Sequence, residues 1–162
     1  MKPKQIITLI LLAFVGVSVA TLAVKQVHNS SSTPANTVNQ AAADVITKEN
    51  QVIAYYFHGE IRCATCNTIE IFSREAVESG FAGQLADETL VWRPVNRELP
   101  ENAHFNEEFE LVTSSLVLVK IRDGRPAEWK NLGDVWDTEL LTDKDKFIRY
   151  VQEEIRQYLE GK

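Results

Sequence analysis

The sequence predicts an α/β sandwich around a mixed β-sheet, and three observations carry that prediction. The run Gln51–Phe57 (QVIAYYF) is dense in aliphatic, β-branched and aromatic residues without alternation, which suits a strand buried on both faces. A helical period begins soon after it at Cys63, and another strand candidate follows at Leu90. That order demands a right-handed crossover onto a parallel neighbour. Asp123-Gly124, between two further strand candidates, is a two-residue hairpin signal and supplies an antiparallel pair.

After the first strand, His58 to Arg62 reads as a loop. From Cys63 onward Cys66, Ile69, Phe72 or Ser73, Ala76 and Val77 recur at three and four. Glu70, Arg74, Glu75 and Glu78 fill the other faces, and Gly80 is the stop. Leu90–Asn96 (LVWRPVN) is the second strand, demoted toward an edge or a bulge by Pro94. Pro100–Leu111 reads as a short helix with Phe105, Phe109 and Leu111 inward. Leu116–Ile121 (LVLVKI) is the third strand, and residues 127–132 (AEWKNL) pair back as the fourth. Thr142 to Asp145 resembles a capping box with Asp in place of Glu. Phe147, Ile148, Val151, Ile155, Tyr158 and Leu159 then form one apolar stripe that ends at Gly161.

The two cysteines, Cys63 and Cys66, are three positions apart. A bridge this short closes almost no loop and removes little entropy from the unfolded chain, so a structural staple explains the pair poorly. A strand, a short loop, Cys-x-x-Cys opening a helix, a second strand, a helix, a hairpin and a final helix together resemble the thioredoxin fold. The resemblance covers nearly all of residues 45–162. It implies a three-layer sandwich with a central mixed four-stranded sheet, preceded here by an N-terminal hydrophobic helix. More narrowly, YYFHGEIRCATCNTIE (55–70) is similar to a small bacterial group of thioredoxin-like proteins. That group carries the name nitrophenyl-compound nitroreductase subunit and is linked by name to arsenic-resistance operons.

Set against ordinary thioredoxins, three departures stand out. The usual Trp-Cys-Gly-Pro-Cys is Arg62-Cys63-Ala64-Thr65-Cys66. The buried acid that the family places six residues before the first cysteine falls on Phe57. The family's cis-proline before the third strand is absent. Val112 to Leu116 aligns there, with Ser114 the better match and Ser115 the alternative, next to Thr113.

The thiolate is the nucleophile in disulfide exchange. A helix start favours negative charge at Cys63, and Arg62 adds positive potential beside it. Cys66, one turn in, is expected to be more buried. The resulting expectation is a thiol-disulfide oxidoreductase in which Cys63 attacks and Cys66 resolves. Arg62, Ala64, Thr65, Thr113, Ser114 and Ser115 support them, and neither metal nor cofactor takes part. A second reading has the dithiol capture a soft metal ion or arsenite, with His58 as a third donor. A closed zinc site wants four ligands, there is no further cysteine, and neither His28 nor His104 suits the role. A third reading makes the domain a non-catalytic docking subunit that uses an exposed Trp136. Packing is the simpler role for Trp92, Trp129 and Trp136.

The N-terminus bears on location. Lys2 and Lys4 precede the uncharged run Ile6–Val24, whose nineteen residues span about 29 Å as a helix, close to the hydrocarbon thickness of a bilayer. Residues 1–25 therefore read as a signal anchor, or as a signal peptide cut after Ser18-Val19-Ala20. Residues 26–44, rich in Ser, Asn, Thr and Ala, read as a flexible linker. The expected location is a single-pass inner-membrane protein with its C-terminal domain on the periplasmic or extracytoplasmic side, or the periplasm if the segment is cut. Its expected partner is a protein dithiol or disulfide, itself membrane-bound in one version of this reading. All 23 acidic residues lie from Asp44 onward with 14 of the 17 basic ones, a net charge of −9 there, which disfavours nucleic acid and anionic lipid as partners.

Overall fold

The computed structural model describes residues 46–161, within the compact unit that spans Gln40–Lys162. The expected hydrophobic helix and linker lie outside the described residues. Among the described residues, no helix is long and apolar enough to cross a membrane.

The chain runs β1 (Gln51–His58), α1 (Ala64–Gly80), α2 (Ala82–Ala86), β2 (Leu90–Asn96), a 3₁₀ turn (Pro100–Asn102), α3 (Phe105–Glu108), β3 (Ser115–Arg122), β4 (Arg125–Asn131), a second 3₁₀ turn (Gly133–Trp136), α4 (Thr138–Thr142) and α5 (Lys144–Glu160). The four strands form one sheet in the order β2-β1-β3-β4. β1 pairs in parallel with β2, from Val52 opposite Leu90 to His58 opposite Asn96. It pairs antiparallel with β3, from Gln51 opposite Ile121 to Phe57 opposite Ser115. This mixed order, with the crossover helix leaving the C-terminal end of the central strand, is the thioredoxin-like topology. β2 is an edge strand, which accommodates Pro94.

As expected of a central strand, β1 is buried from Gln51 to Phe57. Its alternate side chains serve two layers. Val52, Ala54 and Tyr56 join Ile69, Ala76 and Val77 of α1 and Phe147, Val151 and Ile155 of α5. Ile53, Tyr55 and Phe57 face the other way, onto Phe105, Phe109 and Leu111. The turn between β3 and β4 takes positive φ at both Asp123 (52°) and Gly124 (70°), the requirement that makes Asp-Gly a hairpin signal.

Several expectations need correction. The single helix over Pro100–Leu111 is a 3₁₀ turn followed by the four-residue α3, although Phe105, Phe109 and Leu111 do point inward. The final helix is capped by Asp143, whose carboxylate accepts from the Lys146 amide. Thr142 ends α4 instead, its hydroxyl donating to the Thr138 carbonyl. The packing roles of Trp92 and Trp129 need no correction: Trp92 packs against the core, and Trp129, on a face of β4 and 40% exposed, meets Phe109 edge-on at 5.5 Å. Glu70, assigned by its period to an outer face of α1, is buried.

Burial also governs the phenols. Desolvation pushes Tyr55 up to about 12, with Arg93 opposing and Glu108 adding to the rise. Tyr158 is also pushed up to about 12, first by desolvation and then by Glu128 and Glu154. Below pH ~10 these phenols are protonated folded or unfolded, so their contribution is fully present. As pH climbs further the unfolded chain releases protons that the folded chain keeps, and stability falls toward pH ~12. The urea midpoint should therefore hold steady from neutral pH to about 9 and decline above about 10. Tyr55→Phe should remove part of that decline.

Candidate functional site

The sheet determines where the cysteines lie. β1 ends at His58, the loop 59–62 turns back, and α1 begins at Ala64 with Cys63 as its N-cap in extended conformation. Cys63 and Cys66 are joined by a disulfide, with Cα atoms 5.1 Å apart. The Cys66 amide donates to the Cys63 sulfur at 3.1 Å, so this sulfur serves as the helix cap. Cys63 is exposed and Cys66 is 8% exposed, the asymmetry expected of an attacking and a resolving cysteine. Ala64 is exposed and Thr65 half-buried in the first turn between them.

Beneath the disulfide lies Tyr56, fully buried, whose hydroxyl donates to the Cys66 carbonyl at 2.6 Å. Desolvation raises its pKa, the neighbouring Ser114 hydroxyl opposes the rise, Glu70 adds to it and Arg62 opposes it. Those neighbours show that the loop before β3 reaches the site. Ser114 is the residue facing it, and its carbonyl accepts from the Trp136 indole at 2.9 Å. Ser115 opens β3 opposite Phe57, its hydroxyl donating to the Thr113 carbonyl at 3.1 Å. Thr113 is exposed. Trp136 is half-buried and hydrogen-bonded, a packed residue in place of the exposed docking contact of the third reading.

Arg62 is not simply a free charge beside Cys63. Its guanidinium pairs with the Glu70 carboxylate, and the other Glu70 oxygen accepts from Arg74 at 2.8 Å. The Glu70 side chain is 9% exposed. Charge-assisted bonds from two guanidiniums offset the cost of burying the carboxylate.

His58 is half-buried, with its Nδ1 donating to the Gly59 carbonyl at 2.9 Å. Among the described residues, no three His, Cys, Asp or Glu side chains gather into a group able to hold a metal ion.

Sequence reasoning missed the roles of Tyr56 and Glu70, and both left a signal. Glu70 lies four residues after Cys66 and so shares its helix face, and Tyr56 lies in phase with Val52 and Ala54. It also missed two apolar side chains left in solvent by the adjoining loops, Ile61 at 92% and Val112 at 89% exposed.

Tyr56→Phe keeps the ring and removes the hydroxyl that donates to the Cys66 carbonyl and meets the Ser114 hydroxyl. It should destabilise the oxidised protein by about 0.5–1.5 kcal/mol in urea titrations. Combined with Ser114→Ala, the loss should be less than additive, because both changes act on one hydroxyl pair.

No protein family and no curated protein matches the sequence. Among solved structures the chain is similar to the oxidised thioredoxin of Plasmodium falciparum, at 18% identity over 71% of this chain and 91% of that one, with a TM-score of 0.41. It is likewise similar to thioredoxin f2 of Chlamydomonas reinhardtii, at 11% identity over 69% and 86% with a TM-score of 0.39. A third is the thioredoxin of Trypanosoma brucei brucei, at 12% identity over 72% and 85% with a TM-score of 0.40. The strand order and register, not these likenesses, establish the thioredoxin-like fold.

Proposed function

We propose that the chain is a membrane-tethered extracytoplasmic thiol-disulfide oxidoreductase. The observation that carries the chemistry is the disulfide between an exposed Cys63 at the helix N-cap and a buried Cys66 one turn in. In the reducing direction the Cys63 thiolate attacks one sulfur of a partner disulfide, forming a mixed disulfide and expelling the other sulfur as a thiolate. Cys66 then loses its proton to solvent and attacks the Cys63 sulfur. The partner leaves as a dithiol, reduced by two electrons, and the Cys63–Cys66 bond re-forms. The reverse sequence oxidises a partner dithiol. Both need only sulfurs, so no cofactor is called for.

The partner is a protein dithiol or disulfide, and Ile61 and Val112 supply apolar side chains for it to cover. Arg62 immediately precedes Cys63, Ser114 meets the Tyr56 hydroxyl that holds the Cys66 carbonyl, Ala64 and Thr65 form the first turn, and Thr113 and Ser115 flank Ser114. The likeness of residues 55–70 to the named bacterial group supports membership of that group. Disulfide exchange suits these residues better than reduction of nitro compounds.

The supporting experiment titrates the full-length protein through glutathione or dithiothreitol buffers while free thiols are counted. A reversible two-electron transition is expected, and Cys63→Ser should abolish it. Cys66→Ser should accumulate a persistent mixed disulfide with partner thiols. Thiols that never titrate would overturn the proposal.

The uncharged run Ile6–Val24 supports the location. Expressed in a bacterium with two membranes, the full chain should fractionate with the inner membrane, and protease added to spheroplasts should digest residues 45–162. A domain protected until the cells are lysed would sink the extracytoplasmic reading. Release of a shortened, soluble chain would favour cleavage after Ala20.

A further inference from the structure

Glu70 is the one acidic residue among the buried polar side chains described, and the fold gives it a specific place. It sits in the middle of α1, so neither helix terminus attracts its charge. One partner, Arg74, is a local i,i+4 neighbour on the same helix. The other, Arg62, lies eight residues upstream in the loop just before Cys63. The Arg62–Glu70 pair thus straddles the active turn, gripping the chain immediately before Cys63 and one turn beyond Cys66. Both charges act on the Tyr56 hydroxyl, which itself holds the Cys66 carbonyl, so the pair adjoins the backbone of the active turn.

Stability does not explain the arrangement well, because burying an ion pair seldom gains over apolar packing of equal volume. Nor does the geometry suit a proton acceptor, since both carboxylate oxygens are already engaged by guanidiniums. What the clamp does achieve is to fix a flexible arginine. Unclamped, Arg62 would extend into water, where its field at the sulfurs is screened.

Resting on the oxidoreductase reading above, we propose that Glu70 is a positioning residue. It holds the Arg62 guanidinium beside the active turn, and through Arg62 it favours ionisation of Cys63 and the reduced state of the pair. The other charged and titratable groups nearby are engaged elsewhere or outward. Glu60 accepts from Asn96, His58 donates to the Gly59 carbonyl, and Arg74 is held by the other oxygen of Glu70 itself.

The sign of one variant separates this proposal from a direct effect of the carboxylate. A nearby negative charge acting alone raises a thiol's pKa, so its removal would lower it. If Glu70 acts through Arg62, Glu70→Gln instead raises the Cys63 pKa. The measurements are iodoacetamide alkylation of the reduced full-length protein across pH, and equilibration with glutathione. Glu70→Gln should slow alkylation at pH 6.5 by about three- to tenfold and shift the equilibrium toward the disulfide by a similar factor, where tenfold corresponds to about 30 mV. Arg62→Gln should do the same, the double variant should do no more than either, and Arg62→Lys should recover part of the loss.

Glu70→Asp keeps the charge and retracts it by one methylene, so it serves even where Glu70→Gln does not fold. It should move both readouts in the direction of Arg62→Gln. The proposal fails if Glu70→Gln speeds alkylation, if Glu70→Asp matches the parent, or if the two single effects add. A parent protein that titrates reversibly while those outcomes appear would leave the oxidoreductase reading intact. A parent that never titrates would remove both.

Discussion

The central strand β1 is paired on both edges and buried on both faces, and the rest of the structure is arranged around that constraint. A one-residue slip of this strand would exchange Val52, Ala54 and Tyr56 for Ile53, Tyr55 and Phe57 and put each set into the wrong layer. Its register is therefore fixed, and so is the point where the chain leaves the sheet. Tyr56 is the last fully buried residue of β1 on the face that meets α1 and α5, and a phenol in an apolar layer needs a partner for its hydroxyl. It finds the Cys66 carbonyl. One hydrogen bond thereby ties the disulfide turn to the register of the sheet.

Much of this was legible in the sequence, for local reasons. β2 matches its predicted bounds, Leu90–Asn96, because strand-forming residues are flanked there by polar and turn-forming ones. The β3–β4 turn was legible because few residue pairs tolerate two consecutive positive φ angles. α1 starts where its period starts, one residue after Cys63. The misreadings share a cause, which is dependence on a distant or competing partner. Helical period treats a carboxylate as outward-facing, and Glu70 is inward only because a loop eight residues upstream delivers Arg62 to it. Thr142 has a capping sequence but is already in use by the turn that begins at Thr138, so Asp143 caps α5. Alignment favours Ser114 with Ser115 as the alternative, because pattern alone gives no register. The ladder places Ser115 opposite Phe57 and Ser114 beside Tyr56.

The supports around the active turn explain how such a short bridge can open and close without disturbing the fold. A bridge three residues apart contributes little loop entropy, so the turn must be held by other means. Three contacts supply them: Tyr56 to the Cys66 carbonyl, Trp136 to the Ser114 carbonyl, and the Glu70 clamp on Arg62 and Arg74. None of these uses a sulfur atom, so none is lost when the sulfurs part. The one contact that does, from the Cys66 amide to the Cys63 sulfur, grows stronger when that sulfur carries charge. Reduction therefore leaves the backbone of the turn supported and places negative charge on the sulfur that already caps the Cys66 amide. On the oxidoreductase reading proposed above, with the exposed sulfur anchored in that way, the chemical step reduces to exchanging one sulfur partner for another at Cys63, while Cys66 stays in place beneath it.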